Sequence, residues 1–249
     1  MPKTLLAIVS AHCRDAWADT VRETWKPLVP PGTLDVLFFR GRGGNRAPLY
    51  DEVFLDCDDS YAGLPDKIRT ITRWTLEHDY DFILKIDDDV IIDPFKLMSS
   101  GYEKYEYSGK ANRPIRADRP FTVPYGFCYW MSRQCMKYVS EAELPEGNDD
   151  ERWVATLLYD KGIQLVNVDS YRLHFKLIDR SNYPLYRPLC AKPQNIPSPD
   201  TPEMFAWCIH LSAPDDPHYS TEDKIFEMKK IFAEQVSKKE ERDSKALEP

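Results

Sequence analysis

The first hundred residues alternate between short apolar runs and segments whose apolar residues recur at intervals of three and four. The apolar runs have the length of buried strands, and they cover residues 4–10, 34–39, 51–57 and 81–86. Helical spacing is present in residues 15–27 and again from Pro65 to His78, and proline suits the first turn of a helix. Strands that alternate with helices predict a largely parallel α/β sheet.

The second half of the chain has a less regular pattern. Three prolines predict an irregular segment, namely Pro114, Pro120 and Pro124. Behind it the sequence predicts a strand and then a helix over residues 125–142. A further helix is expected from Asn148 or Asp149 to Lys161, because Asn and Asp are favoured at the start of helices.

The composition is that of a folded, acidic chain. Its 249 residues are 42% hydrophobic and 12% aromatic, which is enough to bury a sizeable core in one large domain. The formal net charge of −8 disfavours a nucleic-acid partner, because a phosphate backbone requires a basic surface. The six cysteines form no CxxC pair, so the sequence indicates neither a zinc site nor a dense disulfide scaffold.

The apolar runs are too short for a membrane span or a secretory signal, since a span needs about 18 or more apolar residues. We therefore expect no transmembrane segment in this sequence and a cytoplasmic location. A Golgi lumenal location is expected instead if a preceding membrane anchor has been removed.

Three consecutive aspartates interrupt an otherwise apolar stretch. Asp87, Asp88 and Asp89 follow the strand and precede a second apolar run from Val90. Two carboxylates about 6 Å apart repel by roughly 3 kcal/mol at an effective dielectric constant near 20. The ligand crevice of a parallel sheet lies beyond the carboxyl ends of its strands, and carboxylate oxygens suit Mg²⁺ or Mn²⁺. The sequence therefore predicts a metal site here, and the alternative is a solvated turn.

Five separated segments carry recognisable motifs in a consistent order. They are RDAWADTVRETW (14–25), DCDDSYAGLPDK (56–67), FILKIDDDV (82–90), VPYGFCYWMS (123–132) and NDDERWVATLLYDKGI (148–163). Together they resemble the β1,3-glycosyltransferases of the galactosyltransferase and fringe type, family 31 of the glycosyltransferases. The resemblance spans roughly residues 4–215. Its first three segments are specific in combination, and the last two are looser.

The resemblance implies a GT-A fold, which is an α/β fold with a Rossmann-like mixed sheet and a smaller acceptor-binding half. The nucleotide-sugar-binding half would cover residues 1–110, the acceptor-binding and catalytic half 111–219, and a C-terminal helix and tail 220–249. The implied activity is an inverting transfer from a UDP-sugar donor to a hydroxyl of a saccharide or glycoconjugate, forming a β-linkage. The donor sugar would be galactose, N-acetylhexosamine or glucose, and the implied cofactor is Mn²⁺ or Mg²⁺.

Carried over to this sequence, the resemblance implies three metal ligands: Asp89, Asp87 and His210, with His174 as the second choice for the histidine. It implies nucleotide-sugar contacts for Ser10, Arg14, Arg22, Asp59, Lys67, Asp87 and Asp88. The structural alternatives are that Arg22 pairs with a helix neighbour, that Lys67 is solvated and that Asp59 caps the helix after it.

The general base of such a transfer must be a carboxylate within hydrogen-bond reach of the acceptor hydroxyl. In the resemblance Glu151 takes the position of the family's catalytic aspartate, and Asp150 is one residue away. Both lie at a predicted helix start, whose dipole keeps carboxylates ionised. Because the family has an aspartate at this position, both residues are candidates, and ordinary helix capping is the alternative.

The sequence is also compatible with two other functional classes. A metal-dependent phosphohydrolase or nuclease would combine the three aspartates with Asp58, Asp59 or Asp93 around two metal ions. A non-catalytic sugar- or nucleotide-binding module would bind UDP more tightly with metal but would not turn it over.

Overall fold

The computed structural model describes residues 2–113, 120–168, 171–173 and 206–208, together with helical residues between 222 and 237. The strands of the described residues are β1 (Thr4–Val9), β2 (Asp35–Arg40), β3 (Glu52–Phe54), β4 (Phe82–Asp87), β5 (Val90–Ile92), β6 (Tyr107–Arg113), β7 (Val123–Ser132), β8 (Val166–Asn167), β9 (Tyr171–Leu173) and β10 (Ala206–Cys208). The α-helices of the described residues up to 168 are α1 (Asp15–Glu23), α2 (Leu64–Glu77), α3 (Pro94–Met98), α4 (Arg133–Glu141) and α5 (Asp150–Asp160).

Seven strands form the main sheet in the order β3-β2-β1-β4-β7-β6-β8. The four strands from β3 to β4 are parallel, whereas β7 runs antiparallel to both β4 and β6. Val9 lies opposite Phe39 on one side and Asp87 on the other. The carboxyl ends of β1, β2 and β4 are therefore level with one another. A second sheet has the order β5-β10-β9.

The two faces of β1 are both buried, as expected for a parallel strand covered by helices. Leu6 and Ile8 pack in one apolar cluster that includes residues of α1. Leu5 and Ala7 pack in the other, which includes residues of α2, α4 and α5. Alternate residues of one short strand thus hold a helical layer on each side of the sheet.

The predicted parallel α/β pattern of the first hundred residues is confirmed by β1, β2, β3 and β4 with α1 and α2 between them. The irregular segment predicted from prolines is wrong in part, because Pro124 lies inside β7. It pairs with Ala111 at a point where the register between β6 and β7 shifts, and a proline is tolerated at such a bulge. No helix of the described residues is long and apolar enough to cross a membrane.

Candidate active site

Asp59 ties together loops that leave the carboxyl ends of β1, β2 and β3. It accepts hydrogen bonds from the backbone N–H of His12 (2.7 Å) and of Gly41 (2.5 Å), and from Nζ of Lys67 (2.6 Å). Lys67, which is buried, also donates to the carbonyl of Ser10 at 2.9 Å. Burial alone would raise the pKa of Asp59, but these donors hold it below its ordinary value. Asp59 and Lys67 therefore organise the loops, and their contact with a nucleotide-sugar stays a prediction.

Asp88 is buried under an arginine. Nε of Arg14 donates to both carboxylate oxygens of Asp88, at 2.8 and 2.9 Å, and a second guanidinium nitrogen donates to Oδ1. Oγ of Ser10 donates to Oδ2 at 2.8 Å. Arg14 and Ser10 oppose the rise that burial causes in the pKa of Asp88. The structure thus brings three predicted donor-site residues into one cluster, in which Asp88 is an arginine partner.

Asp87 and Asp89 remain the accessible members of the aspartate cluster, with side chains 36% and 26% exposed. Burial and the charges of Asp87 and Asp88 raise the pKa of Asp89 to about 7. A divalent cation would relieve this repulsion, and Mg²⁺ sites use one or two protein carboxylates completed by water and substrate phosphates. The donor set therefore fits Mn²⁺ or Mg²⁺.

The third predicted metal ligand lies outside the described residues. This holds for His210 and for the alternative His174. Among the residues that the structure describes, no three His, Cys, Asp or Glu side chains form a group that could hold a metal ion. A complete ligand set would thus need the substrate, water or a residue beyond the described ranges.

A buried lysine lies beneath the aspartates. Lys85 in β4 is 3% exposed, and its Nζ donates to Oδ1 of Asp87 at 2.6 Å and to the carbonyl of Gly126 in β7. Burial alone would lower the pKa of Lys85, but the charges of Asp87 and Asp150 raise it. The lysine therefore stays protonated and connects the end of β4 with β7.

The two candidate bases at the start of α5 have different surroundings. The residue before them, Asp149, caps the helix, because its carboxylate accepts a hydrogen bond from the N–H of Arg152 at 3.1 Å. Asp150 is 4% exposed, and burial raises its pKa to about 7, with Glu151 adding to the rise and Lys85 opposing it. Glu151 is only half-buried. Both carboxylates are close enough for their charges to raise the pKa of Lys85. Glu151 is more accessible to solvent than Asp150.

Arg22 belongs to a separate ion-pair cluster. It pairs with its helix neighbour Asp19 at 2.9 Å, with Asp51 at 2.8 Å and with Glu52 at 2.9 Å. The structural alternative for Arg22 is therefore present. Within the described residues its ion pairs lie with these three carboxylates and not with the aspartates at the end of β4, and a donor-binding role for Arg22 stays a prediction.

Lys85, Gly126 and Trp25 lie in segments that carry the family resemblance, but the sequence assigned them no role. The indole Nε1 of Trp25, which is fully buried, donates to the carbonyl of Val90 at 2.8 Å and so fixes the chain just after the aspartates. A signal for Lys85 was available, because a lysine within an apolar strand is rarely buried unless it is paired. Gly126 is the glycine of the motif in residues 123–132, but its contact with Glu151 could not be predicted, because Glu151 is distant in the chain.

Residues 46–113 match the family model described as Galactosyltransferase. This is about a quarter of the chain, and it contains Asp59, Lys67 and the aspartate cluster. No curated protein sequence is significantly similar to the chain.

Solved structures share the architecture at low sequence identity. A glycosyltransferase involved in the glycosylation of the major capsid of PBCV-1 is 9% identical with a TM-score of 0.54, over 92% of this chain and 99% of that chain. The chain has the GT-A fold. Within this GT-A fold the aspartates lie at the carboxyl end of β4, as the sequence predicted.

Two other structures are similar at lower TM-scores. LgtC, solved as an active-site mutant, is 10% identical with a TM-score of 0.48, over 90% of this chain and 94% of that chain. The mannosyltransferase PcManGT from Pyrobaculum calidifontis, solved with GDP-Man and Mn²⁺, is 11% identical with a TM-score of 0.46. The similarity covers 67% of this chain and 55% of that chain. The family-model match, together with the GT-A fold, supports a glycosyltransferase.

Proposed function

We propose that the chain is an inverting, metal-dependent glycosyltransferase that moves a sugar from a UDP-sugar to a hydroxyl of a saccharide or glycoconjugate. One observation carries the proposal. Lys85 donates to Asp87 at the end of β4 and to the carbonyl of Gly126 in β7, the carboxylate of Glu151 at the start of α5 lies against Gly126, and the charges of Asp87 and Glu151 both act on Lys85. The family-model match makes UDP-galactose the first donor to test, and the resemblance to family 31 makes a β1,3 linkage the first product to look for.

The donor side of the proposed site consists of Asp89 and Asp87, with His210 as a further proposed ligand. A bound Mn²⁺ or Mg²⁺ would supply positive charge against the diphosphate of the donor. Arg14, whose side chain is 35% exposed, is held at the same edge by its ion pair with Asp88 and lies 3.4 Å from Oδ2 of Asp89, so these carboxylates partly offset its positive charge. Such preorganised charges favour departure of UDP because they need no rearrangement during the reaction.

On the acceptor side we propose Glu151 as the general base. Its carboxylate takes the proton of the acceptor hydroxyl, whose oxygen then bonds to the anomeric carbon. The bond from that carbon to the UDP oxygen breaks, and UDP leaves with the electron pair. Asp150 is 4% exposed, so an acceptor would reach it less easily, and we assign it the role of a buried neighbour that Lys85 offsets.

A panel of UDP-sugars tests this function, with UDP release measured in Mn²⁺ and in EDTA, each with and without saccharide acceptors. We expect acceptor-dependent UDP release in Mn²⁺ that EDTA abolishes. Asp89→Asn should weaken donor binding, whereas Glu151→Gln should retain binding and lower turnover by about 10²- to 10⁴-fold. Lys137→Met, on the exposed side of α4, serves as the control with full activity. Absence of binding and turnover with every UDP-sugar in Mn²⁺ would refute the proposal. Donor binding by Asp89→Asn as tight as that of the wild type would refute the role of Asp89.

The structure gives less support to a two-metal phosphohydrolase or nuclease. The additional carboxylates that it would need are engaged elsewhere: Asp58 accepts from the N–H and hydroxyl of Ser60, and Asp93 caps α3. Asp59 holds the loops as described above. Phosphate release in the absence of any acceptor would favour this class. Metal-dependent UDP binding without turnover of any donor would favour a binding module.

A further inference from the structure

The carboxylate of Glu151 lies against a glycine of the sheet. A Cβ atom built on Gly126 would come within 3.0 Å of Oε2 and 3.1 Å of Cδ of Glu151. Such distances are shorter than ordinary van der Waals contact, so a side chain at position 126 would displace the carboxylate by a few tenths of an ångström. This contact joins β7 to the start of α5.

Gly126 is itself held in place by Lys85. Nζ of Lys85 donates to the carbonyl of Gly126, and β4 and β7 are paired with Lys85 opposite Tyr129. Lys85 and Tyr129 are both buried. The backbone at Gly126 is thus anchored from the neighbouring strand.

The helix that carries Glu151 is fixed as well. Val154, Ala155 and Leu158 on α5 are buried in the same apolar cluster as Tyr129, and Asp149 caps the first turn. Because neither backbone can retreat easily, a methyl group at position 126 would be accommodated by displacement of the Glu151 carboxylate.

We propose that Gly126, with its carbonyl anchored by Lys85, is the positioning residue for the base Glu151. This inference rests on the proposed transferase function. Glycine at 126 allows the carboxylate to lie against β7, where the backbone defines its distance from the acceptor hydroxyl. Proton transfer needs a distance of about 2.6–3.2 Å, and a displacement of about 1 Å can lower the rate by about 10²-fold. A displacement of a few tenths of an ångström should therefore lower kcat by about ten-fold.

Gly126→Ala tests this inference directly, with Gly109→Ala as the matched control. Gly109 lies in β6, and a Cβ there would come within 3.1 Å of Cβ of Tyr129. The control therefore crowds β7 from the neighbouring strand β6 without contacting Glu151. We expect Gly126→Ala to lower kcat by about ten-fold and to leave the Kd for UDP in Mn²⁺ unchanged. Gly109→Ala should retain the wild-type kcat per folded molecule.

A second variant distinguishes displacement of the carboxylate from general damage. Glu151→Asp shortens the side chain by one methylene group, which makes room for the added methyl group. The losses in kcat from Gly126→Ala and Glu151→Asp should therefore be less than multiplicative when combined. If Gly126→Ala folds poorly, the double variant should unfold at a higher urea concentration than Gly126→Ala alone.

The inference is overturned if Gly126→Ala retains the wild-type kcat, if Gly109→Ala loses as much kcat, or if the two changes are multiplicative. It is equally overturned if Glu151→Asp fails to rescue a poorly folded Gly126→Ala. These outcomes leave the proposed function standing, provided the wild type transfers sugar in Mn²⁺. A wild type without any transfer contradicts the proposed function itself.

Discussion

Removal of Arg14 would leave the buried carboxylate of Asp88 without its main partner. The side chain of Asp88 is 1% exposed, and three donor contacts from Arg14 reach it. Breaking a buried ion pair on one side costs about 3–5 kcal/mol. Because 35% of the Arg14 side chain is exposed, solvent weakens the pair. We therefore expect Arg14→Met to lower the free energy of unfolding by about 2–3 kcal/mol.

A double-mutant cycle separates the pair from its surroundings. Asp88→Asn removes the charge while an oxygen remains for the hydroxyl of Ser10. In the Arg14→Met background the added cost of Asp88→Asn should be small, since the charge that needed Arg14 is gone. The coupling between the two changes should reach about 2 kcal/mol in urea unfolding.

The exposed pair Arg42 and Asp56 provides the matched control. Its atoms approach to 2.6 Å, but its side chains are 67% and 92% exposed, so we expect no measurable coupling. The reasoning is refuted if the Arg14 and Asp88 changes are additive within about 0.5 kcal/mol, or if the Arg42 and Asp56 cycle shows equal coupling.

Three further changes test the electrostatics and packing around the site. The pKa of Asp150 is raised to about 7 by burial, with Lys85, Glu151 and Asp87 facing it. Asp150 therefore contributes fully to stability below about pH 4, where it is protonated, and this contribution is lost as pH rises through 7. Asp150→Asn should consequently unfold at a higher urea concentration than the wild type at pH 8 but not at pH 4.5. Burial would raise the pKa of Glu52, yet its arginine partners lower it to about 2, so Glu52→Gln should cost about 3 kcal/mol at pH 7, and the gap should close as pH falls from about 4 towards 2. Gly41→Ala should lower stability by about 1–3 kcal/mol, because its Cβ would lie 2.7 Å from the carbonyl oxygen of Cys57; unchanged unfolding would contradict the packing of this loop.

The strands and the edge that carries the aspartates could be predicted because their signals are local. Each strand or helix of the first hundred residues has a characteristic spacing of apolar residues and is bounded by residues that end it. Asp87 is the last residue of one such strand, β4. The strand β6 gave no such signal. It pairs along β7 through a shifted register that places Pro124 opposite Ala111, and a shift of this kind depends on tertiary packing.

The roles within the site depend on contacts that join distant parts of the chain. Arg14 and Asp88 are 74 residues apart, and their pairing leaves Asp87 and Asp89 as the accessible carboxylates. Glu151 is preferred over Asp150 as the base because Asp150 is more deeply buried. The sequence shows only two adjacent acidic residues at a helix start and does not tell which of them is buried. Lys85, by contrast, could have been identified from its place in an apolar strand.

Titration of UDP into the protein in the presence of Mn²⁺ tests the central claim most directly, with wild type, Asp89→Asn and Asp93→Asn compared by calorimetry. Asp93 is the matched control, because it caps α3 and asparagine retains a cap. The account predicts that wild type and Asp93→Asn bind UDP in Mn²⁺ and lose binding in EDTA, and that Asp89→Asn binds at least about ten-fold more weakly. Equal binding by wild type and Asp89→Asn, or no binding of UDP to wild type in Mn²⁺, would contradict it.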